Sequence, residues 1–215
     1  MLKSKVKVGA ITNLTDARYF AAREVEWLGF DCSIGSETYV SPQQILAIRE
    51  WVDGVKITGE FNIEPLETIQ AAIAELQLDA VQLGMAAATD TIRQLTGSLP
   101  VIREIVPDYY HSDEDLQEQF AQTPAGISYF VLNLEKNGFT WADLKAGSPF
   151  SLPVIQQLCE QYPVLLALNY QPQEITEILD TLPLAGLHLS GGAEEKVGFK
   201  SFDDLDALLD LLEVE

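Results

Sequence analysis

The chain has 215 residues, 47% hydrophobic and 21% charged, the make-up of a globular unit that buries roughly 70% of its unfolded surface. It carries 33 acids against 13 bases, a formal charge of −20, and that field repels phosphate backbones, so no nucleic-acid partner is expected. No apolar run approaches the ~20 residues of a membrane helix, and the basic start MLKSKVKVGA lacks a signal peptide's apolar segment, so no membrane partner is expected and the location is cytoplasmic.

Short apolar runs alternate with helical patterns along the chain. Residues 6–10 are apolar and β-branched and predict a strand; Thr12, Asn13 or Thr15 then caps the amphipathic stretch 16–26. Residues 27–32 predict a second strand, and Pro42 opens a helix over 43–52 with Ser41 as its cap. A third strand, 55–61, precedes a helix from near Pro65 to about Leu76; 80–83 and 87–95 make the fourth pair. The strand 101–106 leads to an acidic helix starting at Ser112 or Asp113, and 127–132 is the sixth strand. A long connection, 134–151, reaches the helix 153–161; 164–168 with 173–182, and 186–189 with the terminal helix 201–215, complete the series.

Eight strand–helix pairs without a linker or composition break predict a single domain over 1–215, of α/β class. The length suits a (β/α)8 TIM barrel, and no G-x-G-x-x-G turn follows the first strand, which argues against a dinucleotide fold. Function is then expected at the C-terminal strand ends. Cys32 and Cys159 are expected to be free thiols in a reducing compartment. The two histidines are isolated and no His-x-x-x-His occurs, so no metal and no cofactor are expected.

Several segments, in order and spacing, carry a resemblance. They are Lys7-Val8 with Ile11-Thr12-Asn13 and Asp16-Ala17, Leu28-Gly29-Phe30, and Tyr39-Val40-Ser41-Pro42. Val55-Lys56 with Gly59 and Phe61, Leu78 to Leu83, Phe139 with Trp141, and Ser190-Gly191 with Glu194 and Gly198-Phe199-Lys200 complete them. Together these resemble the phosphoribosylanthranilate isomerase family of tryptophan biosynthesis, over nearly the whole chain. The resemblance implies an Amadori-type rearrangement of an aminoaldose phosphate by a general base and a general acid. The base is the cysteine of K-[IV]-C-G-[IL]-T, where this chain has Lys7-Val8-Gly9-Ala10-Ile11-Thr12, so Gly9 stands in its place. The acid is an aspartate ending the sixth strand, where Asn133 stands. Thr38 replaces a substrate-binding arginine, and Gly84-Met85 replaces a His-Gly pair. For the phosphate, Ser190-Gly191-Gly192 remain after the eighth strand, whereas Leu168-Asn169 and Leu134 to Gly138 replace glycine-rich turns.

Side chains at other strand ends are candidate replacements: Asp31, Glu60 and His188, with Arg103 as a partner for the carboxylates and Cys32 next to the first strand. Alternation forbids Asp31 and Cys32 from both facing the barrel mouth. Cys32 reads as a small buried hydrophobe and His188 as a hydrogen-bonded barrel residue. Three functions follow: a degenerate isomerase (a pseudoenzyme) kept to bind a small phosphorylated molecule or a protein partner, a diverged isomerase or lyase on a related sugar phosphate, and an active isomerase with relocated residues.

Overall fold

The computed structural model describes residues 2–191 and 203–213. Eight parallel strands close on themselves in chain order. They are β1 (Lys5–Gly9), β2 (Trp27–Asp31), β3 (Lys56–Phe61), β4 (Ala80–Leu83), β5 (Val101–Ile105), β6 (Tyr129–Asn133), β7 (Val164–Ala167) and β8 (Gly186–Ser190). The described helices are α1 (Leu14–Ala22), α2 (Pro42–Arg49), α3 (Leu66–Leu76), α4 (Thr89–Leu95), α5 (Asp113–Ala121), α6 (Trp141–Ala146), α7 (Leu152–Gln161), α8 (Ile175–Thr181) and α9 (Asp203–Leu212). Register between β1 and β8, from Lys5 opposite Gly186 to Gly9 opposite Ser190, closes the ring. This is the (β/α)8 barrel that the alternation predicts.

Polar caps set several helix starts. Asn13 accepts from the Asp16 amide at 3.0 Å, and Ser41 with Gln44, and Ser112 with Asp115, form reciprocal capping boxes. The long connection 134–151 is corrected by the structure. It contains a short 3-10 turn, Glu135–Asn137, and then α6, capped by Thr140 with Asp143 and ended by Gly147 at φ 75°.

Strand alternation divides the interior in two. Val6, Val8, Leu28, Phe30 and Ile57 pack under the helices. Trp27, Ala80, Ile102, Val131, Leu165 and Ala167 form a separate apolar cluster inside the barrel. Buried polar side chains occupy other strand positions: Lys7, Thr58, Gln82, Glu104, Asn133 and His188. Buried polar groups cost free energy unless they meet partners or ligands, so these side chains mark the candidate site. No described helix is long and apolar enough to cross a membrane.

Candidate functional site

The C-terminal strand ends surround a cavity of about 650 Å³, whose wall includes Gly9, Asp31, Glu60, Glu104, Asn133, His188 and Ser190. Lys7, fully buried, donates from Nζ to Glu60 Oε1 at 2.5 Å, and the Ala10 amide donates to Glu60 Oε2 at 3.2 Å. The pair joins β1 to β3 across β2, and Gly29 on β2 makes room for it. A Cβ at Gly29 would lie 2.1 Å from Glu60 Oε1 and 2.9 Å from Lys7 Nζ. The space beside Gly9 is likewise filled. A Cβ there would meet His188 Cε1 at 2.8 Å and Glu60 Oε1 at 2.9 Å. Burial, reinforced by Lys7 and Lys136, holds the His188 imidazole well below its ordinary pKa, so it is neutral. Its Nδ1 has no hydrogen-bond partner among the described residues, unlike the hydrogen-bonded histidine expected from sequence.

Across the mouth, Asn133 donates from Nδ2 to Glu104 Oε1 at 2.8 Å, and its Oδ1 accepts from the Lys136 amide at 3.1 Å. Lys136 Nζ reaches the same Glu104 oxygen at 2.8 Å. Arg103 does not pair with Asp31 or Glu60 as expected: its guanidinium donates to the Gly84 and Met85 carbonyls after β4. Asp31 lines the cavity but spends its oxygens on its own loop. It accepts from the Ser33 amide at 2.9 Å, Ser36 Oγ at 2.5 Å and Thr38 Oγ1 at 2.8 Å. Cys32 is off the cavity wall, and burial, with the nearby Glu60 and Asp31 charges, pushes its thiol up to about 12. It is therefore no thiolate at neutral pH.

The expected phosphate cradle is engaged within the protein. Ser190 Oγ donates to Glu135 Oε2 at 2.8 Å, and the Gly191 amide donates to the Gly9 carbonyl at 2.8 Å. As folded here, neither donor is left for a phosphate oxygen, and a carboxylate stands beside one of them. Burial raises the Glu135 pKa, with Ser190 and Lys136 opposing. Gly192, the third expected residue, lies outside the described residues, as do Glu194 and Gly198 to Lys200. Among the described residues, no group of three or more His, Cys, Asp or Glu converges as for a metal ion.

A family model described as N-(5'phosphoribosyl)anthranilate (PRA) isomerase matches residues 6–210. The chain belongs to the PRA isomerase family. It is similar to the isomerase of Microcystis aeruginosa, 29% identical over 216 residues covering 97% of each chain. The isomerase of Acaryochloris marina is 26% identical over 216 residues, with 95% of each covered. The solved PRA isomerase of Thermus thermophilus is 26% identical and superposes with a TM-score of 0.74 over 96% of both chains.

Within this PRA isomerase barrel, the structure brings Gly9, Glu60 and His188 together on one side of the mouth and Glu104 with Asn133 on the other. Glu104 is the site residue that sequence reasoning missed. Its signal was present in β5, Val-Ile-Arg-Glu-Ile, where two adjacent charges interrupt an apolar strand. Alternation must send one of them toward the barrel interior, and that one is Glu104, only 7% exposed.

Proposed function

We propose that this chain is a PRA isomerase family member that has given up the family's acid–base reaction and keeps its mouth as a binding site for a small polar molecule. The resemblance assigns the base to the position of Gly9 and the acid to that of Asn133, and neither residue exchanges protons at neutral pH. Each lost group is worth roughly 10²–10⁴ in rate. The observation that carries the reading is the filled space at Gly9: a side chain there would run into His188 and Glu60. Here the imidazole of His188 and the carboxylate of Glu60 occupy the space that a base at this position would need.

A second reading has its own observation in favour. Glu60 stands beside Gly9 and Glu104 beside Asn133, so a carboxylate neighbours each vacated position. In that reading the two carboxylates run the isomerisation of phosphoribosylanthranilate. One assay separates the two: loss of fluorescence of freshly made phosphoribosylanthranilate, with heat-killed protein as control. A flat trace from folded protein is the expected result. Turnover proportional to protein concentration, abolished by Glu104→Gln, would establish the relocated chemistry instead.

A further inference from the structure

We infer that the mouth selects a small, donor-rich cation, a protonated hydroxylated amine, over a phosphate ester. This rests on the reading of the mouth as a binding site and names its ligand class. The cavity wall carries Asp31, Glu37, Glu60 and Glu104, and the only cationic side chain on that wall among the described residues is Lys136. Lys7 lies beneath, committed to Glu60, and Lys136 is committed to Glu104. Among the described residues, counting both lysines against the four carboxylates leaves a charge of −2 at the site. In a concave, partly desolvated site such a field attracts cations and repels anions.

The carboxylates are not equally engaged. Both oxygens of Asp31 and both of Glu60 accept hydrogen bonds. In Glu104 the Oε1 atom takes both Asn133 and Lys136, while Oε2 accepts from no described residue. That oxygen is the seat for an ammonium group. A second, independent observation points to a ligand with further donors. Gln82 and His188 line the same wall at 6% and 4% exposure. Gln82 Oε1 and His188 Nδ1 have no hydrogen-bond partner among the described residues. Buried polar atoms are rarely left so, and ligand hydroxyls can satisfy an amide and a neutral imidazole after a turn of either side chain. Among the described residues, the donors expected to grip a phosphate, at Ser190 and Gly191, are spent on protein acceptors.

The test is calorimetric titration of the whole chain with three probes: D-glucosamine below the pKa of its amine, D-glucose, and ribose 5-phosphate. Glucosamine is expected to bind at least ~10-fold tighter than either other probe, roughly the gain from one charge-assisted contact. Glu104→Gln, which keeps an acceptor for Asn133, is expected to erase that preference. Rising salt should weaken glucosamine binding in the unmutated chain, a readout that stands even if the variant misfolds. Ribose 5-phosphate binding as tightly as glucosamine would overturn the inference while leaving the binding-site reading intact. Binding of none of the three, or a preference that survives both Glu104→Gln and salt, overturns it too. Turnover of phosphoribosylanthranilate would sink the proposed function whatever these titrations give.

Discussion

At Gly9 the question is packing before it is catalysis, because His188 and Glu60 already stand where a side chain would go. Gly9→Cys is expected to cost about 1–3 kcal/mol in urea unfolding. It should restore no turnover, even combined with Asn133→Asp; recovered activity would show that the site had kept its old shape. Next to it, Ala10 is held at φ 53°, where glycine is at ease. Relief of the left-handed penalty, about 1–2 kcal/mol, outweighs the extra unfolded-state entropy of glycine, so Ala10→Gly should stabilise by about 0.5–1 kcal/mol. His188 gives a pH signature. Its folded pKa is depressed by burial and by Lys7 and Lys136. The stability it contributes is therefore present above the unfolded pKa and lost as pH falls toward the folded one. From about pH 6.5 downward the native chain should lose up to about 1.4 kcal/mol per pH unit relative to His188→Gln, so the gap between the two unfolding curves narrows on acidification. A gap that stays constant would mean that the imidazole is solvated. Of these site features, the sequence already set Gly9 and Asn133 where the resemblance implies a base and an acid, and Glu60 and His188 at strand ends. It could not show that Lys7 and Glu60 pair, because 53 residues separate them and only the β1–β2–β3 register brings them together.

At the level of elements, the strands were the legible part, since β-branched apolar runs of four to six residues flanked by turn residues have few other uses. The helix α6 was not legible as a helix: six residues are too few to show a 3.6 period. Its signal lay in the ends, Thr140 with Asp143 three residues on, and Gly147 at the stop. Thr140→Ala should cost about 1 kcal/mol through the lost cap, read as a lower urea midpoint with an unchanged slope. The terminal helix α9 is tied to the end of α1 by two side chains, Arg23 and Tyr19. Arg23 bonds Asp206 and Asp210 at 2.7 Å each and Glu213 at 2.8 Å, and Tyr19 donates to Asp206 at 2.6 Å. Burial first, and then that hydrogen bond, pushes the Tyr19 hydroxyl up to about 12, so it stays a donor throughout the neutral range. These acids are half-exposed, and solvent discounts each pair; Arg23→Ala is expected to cost about 1–2 kcal/mol. The loss should fall on α9, whose amides would exchange faster while the strand amides keep their protection. Uniform loss of protection would instead make α9 part of the barrel's cooperative unit.

For the whole molecule, barrel closure was readable from the count of βα units, because alternating units admit only an open sheet or a ring and eight of them suit the ring. What the count could not supply was the contents of the mouth, which depend on which residue of each strand faces inward at the same height. Net charge acts at this scale as well. With 33 acids against 13 bases, 20 acids have no basic counterpart. The field is concentrated where α5 carries Asp113, Glu114 and Asp115 in one turn and where α9 reads DDLDALLDLL. Salt acts on two opposed terms. It screens the repulsion among unpaired acids, and it weakens ion pairs such as those of Arg23 and the exposed Lys145–Glu177. Exposed pairs contribute about 0–1 kcal/mol each, whereas the repulsion sums over the whole surface and its range shrinks from ~10 Å at 0.1 M to ~3 Å at 1 M salt. Repulsion is therefore the larger loss removed, and thermal unfolding in sodium chloride rising from ~0.02 M to ~0.5 M should shift the Tm upward by about 2–6 °C, the equivalent of about 1–2 kcal/mol. A Tm that fell with salt would mean that the ion pairs outweigh the repulsion. The buried Lys7–Glu60 pair is screened least, so the mouth should keep its shape across the range in which the surface relaxes.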